Sequence, residues 1–136
     1  MSFGRNIRGV CEQILGKEWV KDDPVTLYTY RCDGLTLYTA PPMGVLFPGT
    51  VEELVSVVKL LYQHKISFIA RGAGTGLSGG AVPQEGSVII EMARFKEVHE
   101  VDWINRTITV GPGVINLRIT EHVHSKGYHY APDPSS

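Results

Sequence analysis

Five glycines stand behind one arginine in the ten residues RGAGTGLSGG (71–80), which follow the apolar run ISFIA (66–70). Glycine admits positive φ and lets backbone N–H groups approach a ligand with no Cβ in the way. Successive N–H groups that point inward form a concave nest for anions, phosphate above all. Arg71 and the hydroxyls of Thr75 and Ser78 add side-chain donors to such a nest. The spacing from Gly74 to Gly79 fits GxGxxG, but a dinucleotide fingerprint rests its pyrophosphate on a helix that opens at the loop. Here AVPQEG (81–86) follows, and Pro83 and Gly86 oppose a helix. No GK[ST] ends the run, so it is not a Walker loop. The chemistry these residues support is the holding of a phosphate-rich ligand by backbone donors, without a Rossmann helix. Composition alone also allows a plain surface loop; the exit from a strand read as buried, and the three side-chain donors, argue against it.

The remaining chemistry-bearing residues read as structural. His122 and His124 lie two apart, on different sides of a helix, and make a poor metal pair. His129, between Tyr128 and Tyr130, reads as a packing or surface residue. Asp22 and Asp23 precede Pro24 and read as solvated turn residues. Cys11 and Cys32 form no CxxC pair and read as packing residues; two thiols and no export signal fit a reducing cytoplasm. No catalytic residue and no metal site is assigned.

Elements that would position the glycine run can be read on both sides of it. A 136-residue chain, 43% hydrophobic and 20% charged, is long enough for one buried core. A net charge of -1 gives no reason to expect a nucleic-acid partner, and no apolar run reaches the roughly 18 residues of a membrane span. Ile7, Val10, Cys11, Ile14 and Leu15 form one helical face closed by Gly16. A loop is expected through DDP and YRCDG to PPMG. A second helix starts at a capping box, Thr50 with Glu53, and its apolar face is read as Val51, Leu54, Val55, Val58, Leu61 and Tyr62. A third runs from Asn116 to about Lys126, stopped by Gly127.

VLF (45–47) precedes the capped helix and ISFIA follows it, which predicts two parallel neighbouring strands with a crossover helix. SVIIEM (87–92) reads as a buried strand, and EVHEVD with TITV as a hairpin around WINR. The fold class expected is α+β (mixed α/β): a small parallel β-α-β unit, further strands, and an N-terminal helix. The division expected is an N-terminal helix and lead-in over 1–40, then the ligand-binding domain over 41–136.

PGTVEELVSVVKL, RGAGTGLSGGAVP, EMARFKEV, VGPGV and YAPDPSS, in that order, resemble the PCMH-type FAD-binding domain of oxidases related to p-cresol methylhydroxylase and vanillyl-alcohol oxidase. The nearest branch holds the FAD subunits of bacterial glycolate oxidases and the D-lactate dehydrogenases, and YRCDGL resembles the lead-in of that branch. The resemblance implies FAD as cofactor, its pyrophosphate held by Arg71, Gly72, Ala73, Gly74, Thr75, Gly76, Leu77 and Ser78. It also implies Pro48 near the adenine side, and a second flavin-contacting loop with Pro132, Asp133 and Ser136. Some members tether FAD through a histidine four residues after the loop arginine; Thr75 stands there, so binding is expected to be non-covalent.

The implied reaction is oxidation of a 2-hydroxy acid, of glycolate or D-lactate type, with the hydroxyl proton taken by a base and hydride passed to flavin. The implied partners are that substrate and additional flavin and iron–sulfur subunits. Members of the family continue beyond the second flavin loop into a cap domain that holds the substrate, so the chain is expected to be an N-terminal fragment, inactive alone. The reading from another class is a non-catalytic module that keeps the fold but binds no flavin, or that binds another phosphate-bearing ligand or a protein partner.

Overall fold

The computed structural model describes residues 3–131. Its contacts divide the chain into two compact units, residues 1–94 and 95–136. The first carries a four-stranded sheet of strands β1 (Val20–Lys21), β2 (Gly44–Leu46), β3 (Phe68–Arg71) and β4 (Val88–Glu91), with helices α1 (Arg5–Leu15), α2 (Pro24–Thr29) and α3 (Val51–Gln63). The second carries the hairpin β5 (Val98–Asp102) and β6 (Thr107–Val110), then helix α4 (Asn116–Val123). This is the expected mixture of helices and a mixed sheet.

The strand order is β1-β2-β4-β3. Strand β2 pairs with β4 through Val45 opposite Ile89, and β3 pairs with β4 through Ile69 opposite Ile89, both parallel. The strands on either side of α3 are therefore parallel but not neighbours, as the sequence reading had them; β4 lies between. Val88, Ile89, Ile90 and Glu91 are all buried, the pattern of a strand covered on both faces. A continuous β-branched run takes the central place because every side chain must be covered. Strand β3, expected to be buried, is the edge: Phe68 is 40% exposed and only Arg71 is buried. The short strand β1 runs antiparallel to β2 on the other edge and was not anticipated.

The core of this unit joins α1 to the sheet. Phe3, Cys11, Leu15 and Val20 share one cluster with Leu46, Val57, Leu61, Val88 and Ile90. The contacts thus divide the chain after Arg94, whereas the sequence reading divides it after residue 40. Helix α3 begins as its capping signal predicts: Thr50 Oγ1 accepts from Glu53 N–H at 3.2 Å. The Glu53 carboxylate reaches back to Gly49 N–H, at 2.6 Å. Its buried face is centred on Val57 and Leu61, with Leu54 and Val58 beside them. Val51, Val55 and Tyr62, expected on that face, are exposed at 61, 42 and 80%.

The lead-in is not all loop. Pro24 opens α2, and Asp23 caps it by accepting from Thr26 N–H at 2.9 Å. A proline at the first helical turn loses no hydrogen bond there. Asp22, expected to be solvated, pairs with Arg8 at 3.0 Å. In the second unit the hairpin forms as read, with Asp102 accepting from Ile104 and Asn105 N–H in the WINR connection. Helix α4 passes into a short 3-10 turn, His124–Lys126, and stops at Gly127 with φ 80°, a left-handed stop that glycine adopts at little cost.

Candidate functional site

Three parallel strands point the same way, so β2, β3 and β4 deliver the turn at Pro48, the glycine run and the 92–94 turn to one edge of the sheet. In open sheets with parallel strands, ligands bind at this carboxyl edge. Parallel strands cannot be joined by a tight turn, and residues 72–87 make the connection from β3 to β4 with no helix or strand inside it. The expectation that no helix opens after the glycines holds.

The loop uses carbonyls along its length, and the N–H groups of its glycine-rich first half stay free. Gly76 O accepts from Gly34 N–H at 3.1 Å, Gly79 O from Val82 N–H at 3.1 Å, and Ala81 O from Arg71 at 3.0 Å. Among the described residues, the backbone N–H groups of residues 72–78 meet no protein acceptor. Gly74 and Gly79 take φ of +71° and +81°, the left-handed region that glycine adopts at little cost and that anion-binding nests use. Ala73, Thr75, Leu77 and Ser78 are exposed, so the hydroxyls of Thr75 and Ser78 are open to a ligand. A row of free donors on a surface loop is the donor set that an anionic, phosphate-bearing group requires.

Arg71 takes a different part from the one expected. Its side chain is buried, 8% exposed, and Nη1 donates to Cys32 O at 2.8 Å and Ala81 O at 3.0 Å. A Cβ on Gly74 would run into the guanidinium, which therefore lies directly under the loop. The guanidinium braces the loop from below and places a positive charge beneath the free N–H groups. Its neighbour across the ladder is Glu91, 4% exposed, whose carboxyl is raised above the ordinary value by burial, with Arg71 opposing that rise. Burial first, and the Glu91 charge second, raise the Tyr30 hydroxyl too. These side chains, with Thr29, Gly72, Ala73 and Ala93, line an open depression of about 350 Å³.

Pro48 is fully buried in the turn after β2. Arg94 holds that turn: Nη1 donates to Phe47 O at 2.8 Å, lies 3.7 Å from Glu53 Oε2, and the guanidinium stacks 3.9 Å over Trp19. Pro132, Asp133 and Ser136 lie outside the described residues. Sequence reasoning did not single out Tyr30, Asp33, Gly34, Glu91 or Arg94. The Asp-Gly pair in YRCDGL was the available signal, since that dipeptide marks a turn where backbone approaches closely.

The profile of the family described as FAD binding domain matches residues 42–136. The glycolate oxidase subunit GlcD of Escherichia coli (strain K12) is 40% identical over 125 residues, 92% of this chain and 25% of that protein. The subunit of the same name from Bacillus subtilis (strain 168) is 35% identical over 132 residues, 97% of this chain and 28% of that protein. The chain thus spans about a quarter of the length of these curated relatives. The solved structure of p-cresol methylhydroxylase superposes with a TM-score of 0.78 at 24% identity, over 90% of this chain and 24% of that one. Free donors at the carboxyl edge of the sheet, a matching profile and relatives of 35 to 40% identity lead to one conclusion: this chain belongs to the FAD-binding-domain family of flavin-dependent oxidoreductases.

Proposed function

We propose that residues 71–78 cradle the pyrophosphate of FAD, with Pro48 on the adjoining turn, in an oxidoreductase acting on a 2-hydroxy acid of glycolate or D-lactate type. The observation that carries this reading is the run of unpartnered N–H groups over residues 72–78 at the carboxyl edge of the sheet. Two-electron oxidation is the chemistry FAD supplies when bound. The chain's own part is to bind and orient: the N–H groups meet phosphate oxygens, and the Arg71 charge beneath them favours the anion. Thr75 carries no ring nitrogen, so the cofactor is held without a covalent bond. The substrate class is supported by the names of the relatives, glycolate oxidase subunit among them. The word subunit in that name supports an assembly with further chains; that these include flavin and iron–sulfur chains is what the family resemblance implies. The two free cysteines support a cytoplasmic location; no helix among the described residues is long and apolar enough to cross a membrane.

The test is a titration of the purified chain with FAD, followed by flavin fluorescence, with adenosine diphosphate as competitor and riboflavin as control. The reading expects saturable FAD binding, displacement by the diphosphate, and no binding of riboflavin. Riboflavin binding as tightly as FAD, or a folded chain that ignores FAD, overturns it. Denaturation in acid should release all the flavin to the supernatant, and flavin retained on the precipitated protein refutes the non-covalent mode.

A further inference from the structure

A strap of residues 30–35 lies against the glycine loop and is fastened to it by backbone and by a buried carboxylate. Gly34 N–H donates to Gly76 O at 3.1 Å. Asp33 Oδ2 accepts from Gly79 N–H at 2.9 Å, and its other oxygen accepts from Leu35 N–H at 3.0 Å. The Asp33 side chain is 6% exposed, so neither bond competes freely with water. A Cβ at Gly34 would stand 2.7 Å from Thr75 O, so the two segments are in direct backbone contact. At the base of the loop Arg71 holds the same strap through Cys32 O.

Among the described residues, the other hydrogen bond from loop residues 72–80 is the local turn from Val82 N–H to Gly79 O. A loop with five glycines loses much conformational entropy on ordering. A nest ordered only when its ligand arrives would bind weakly for that reason. The strap orders it beforehand. It takes up the Gly76 carbonyl and the Gly79 N–H, and leaves the N–H groups of residues 72–78 free.

We propose that Asp33 is a positioning residue for the anion cradle, setting the loop backbone so that the N–H groups of residues 72–78 face the ligand. The inference rests on the pyrophosphate reading of the loop. It makes a prediction opposite in sign to electrostatics: a carboxylate beside an anion site repels the anion, so a residue acting only through charge would improve binding when neutralised. Asparagine keeps one acceptor for Gly79 N–H but presents an NH₂ where Leu35 N–H needs an acceptor.

The experiment compares the whole chain with Asp33→Asn and Asp33→Ala for FAD affinity and for exchange of the Gly79 amide without ligand. Leu61→Ala, in the core, supplies a destabilised control. Asp33→Ala removes both acceptors, and loss of the one hydrogen bond that reaches the loop predicts about tenfold weaker FAD binding. Asp33→Asn should fall between it and the unaltered chain, Leu61→Ala should leave affinity unchanged, and Gly79 should be protected only while an acceptor is present. Tighter binding by Asp33→Asn, affinity of Asp33→Ala within about twofold of the unaltered chain, or an equal loss in Leu61→Ala overturns the proposal. A chain that binds no FAD refutes the pyrophosphate reading instead; the Gly79 amide then decides alone, and protection that survives Asp33→Ala overturns the strap.

Discussion

Replacing Arg71 by alanine removes a charge that three parts of the first unit depend on. The carbonyls of Cys32 and Ala81 lose a charged donor at 2.8 and 3.0 Å, and Glu91, 4% exposed, loses the positive charge that opposes its burial. Hydrogen bonds to charged groups contribute roughly 1.5–3 kcal/mol each, and breaking a buried charged network costs about 3–5 kcal/mol. The expected loss is about 3–5 kcal/mol, a large share of the roughly 5–15 kcal/mol that holds a domain together.

The loss should depend on pH. The Glu91 carboxyl binds its proton more tightly in the folded state than its ordinary value of 4.5. That contribution favours folding fully below 4.5 and is lost as pH rises through the folded value. Without Arg71 the folded value moves higher and the loss extends to higher pH, so Arg71→Ala should be hurt more at about pH 8 than at about pH 5. Urea unfolding followed by circular dichroism at the two pH values measures both effects. A loss under about 1 kcal/mol, or one equal at both pH values, refutes the reasoning. Arg71→Lys, which keeps the charge without the planar fork, should fall between.

Gly34→Ala should weaken FAD binding and lower the melting temperature, because its Cβ meets backbone of Thr75, which cannot rotate away; an unchanged melt refutes the close approach. Thr50→Ala should cost about 1 kcal/mol in urea unfolding by removing the cap of α3, and Thr50→Ser should restore most of it. The Cys11 thiol is fully buried and pushed up to about 11 by burial and by Glu12. A disulfide reagent at neutral pH should therefore label Cys32 rapidly and Cys11 only after denaturant is added; equal rates in the folded chain count against this. Gly111→Ala should unfold the second unit locally, since its Cβ would run into Phe95 O, which thermal melting of that variant would show.

Features that depend on a few consecutive residues were legible in the chain alone. The cap at Thr50 and the stop at Gly127 are backbone matters settled within one helical turn. The hairpin around WINR follows from alternation and a short connection. The glycine run announces a left-handed, donor-rich loop, and Pro83 rules out a helix after it. The ordered motifs then led to the flavin family, which the profile over residues 42–136 supports.

Tertiary structure decided what depends on partners far along the chain. Strand order is one case: β4 separates β2 from β3 because its four residues are the ones that need cover on both faces, and chain order does not encode that competition. The face of α3 is another, since Val55 and Val57 are equal in hydropathy and only the packing of α1 and the sheet chose Val57. Arg71 read as a donor facing a ligand, but acceptors at Cys32 and Ala81 draw it under the loop. Asp33 was not singled out in the sequence, since only folding brings it to Gly79, 46 positions away. Local signals bias a few dihedral angles, whereas buried hydrogen bonds between distant segments exist only once the chain has closed around them.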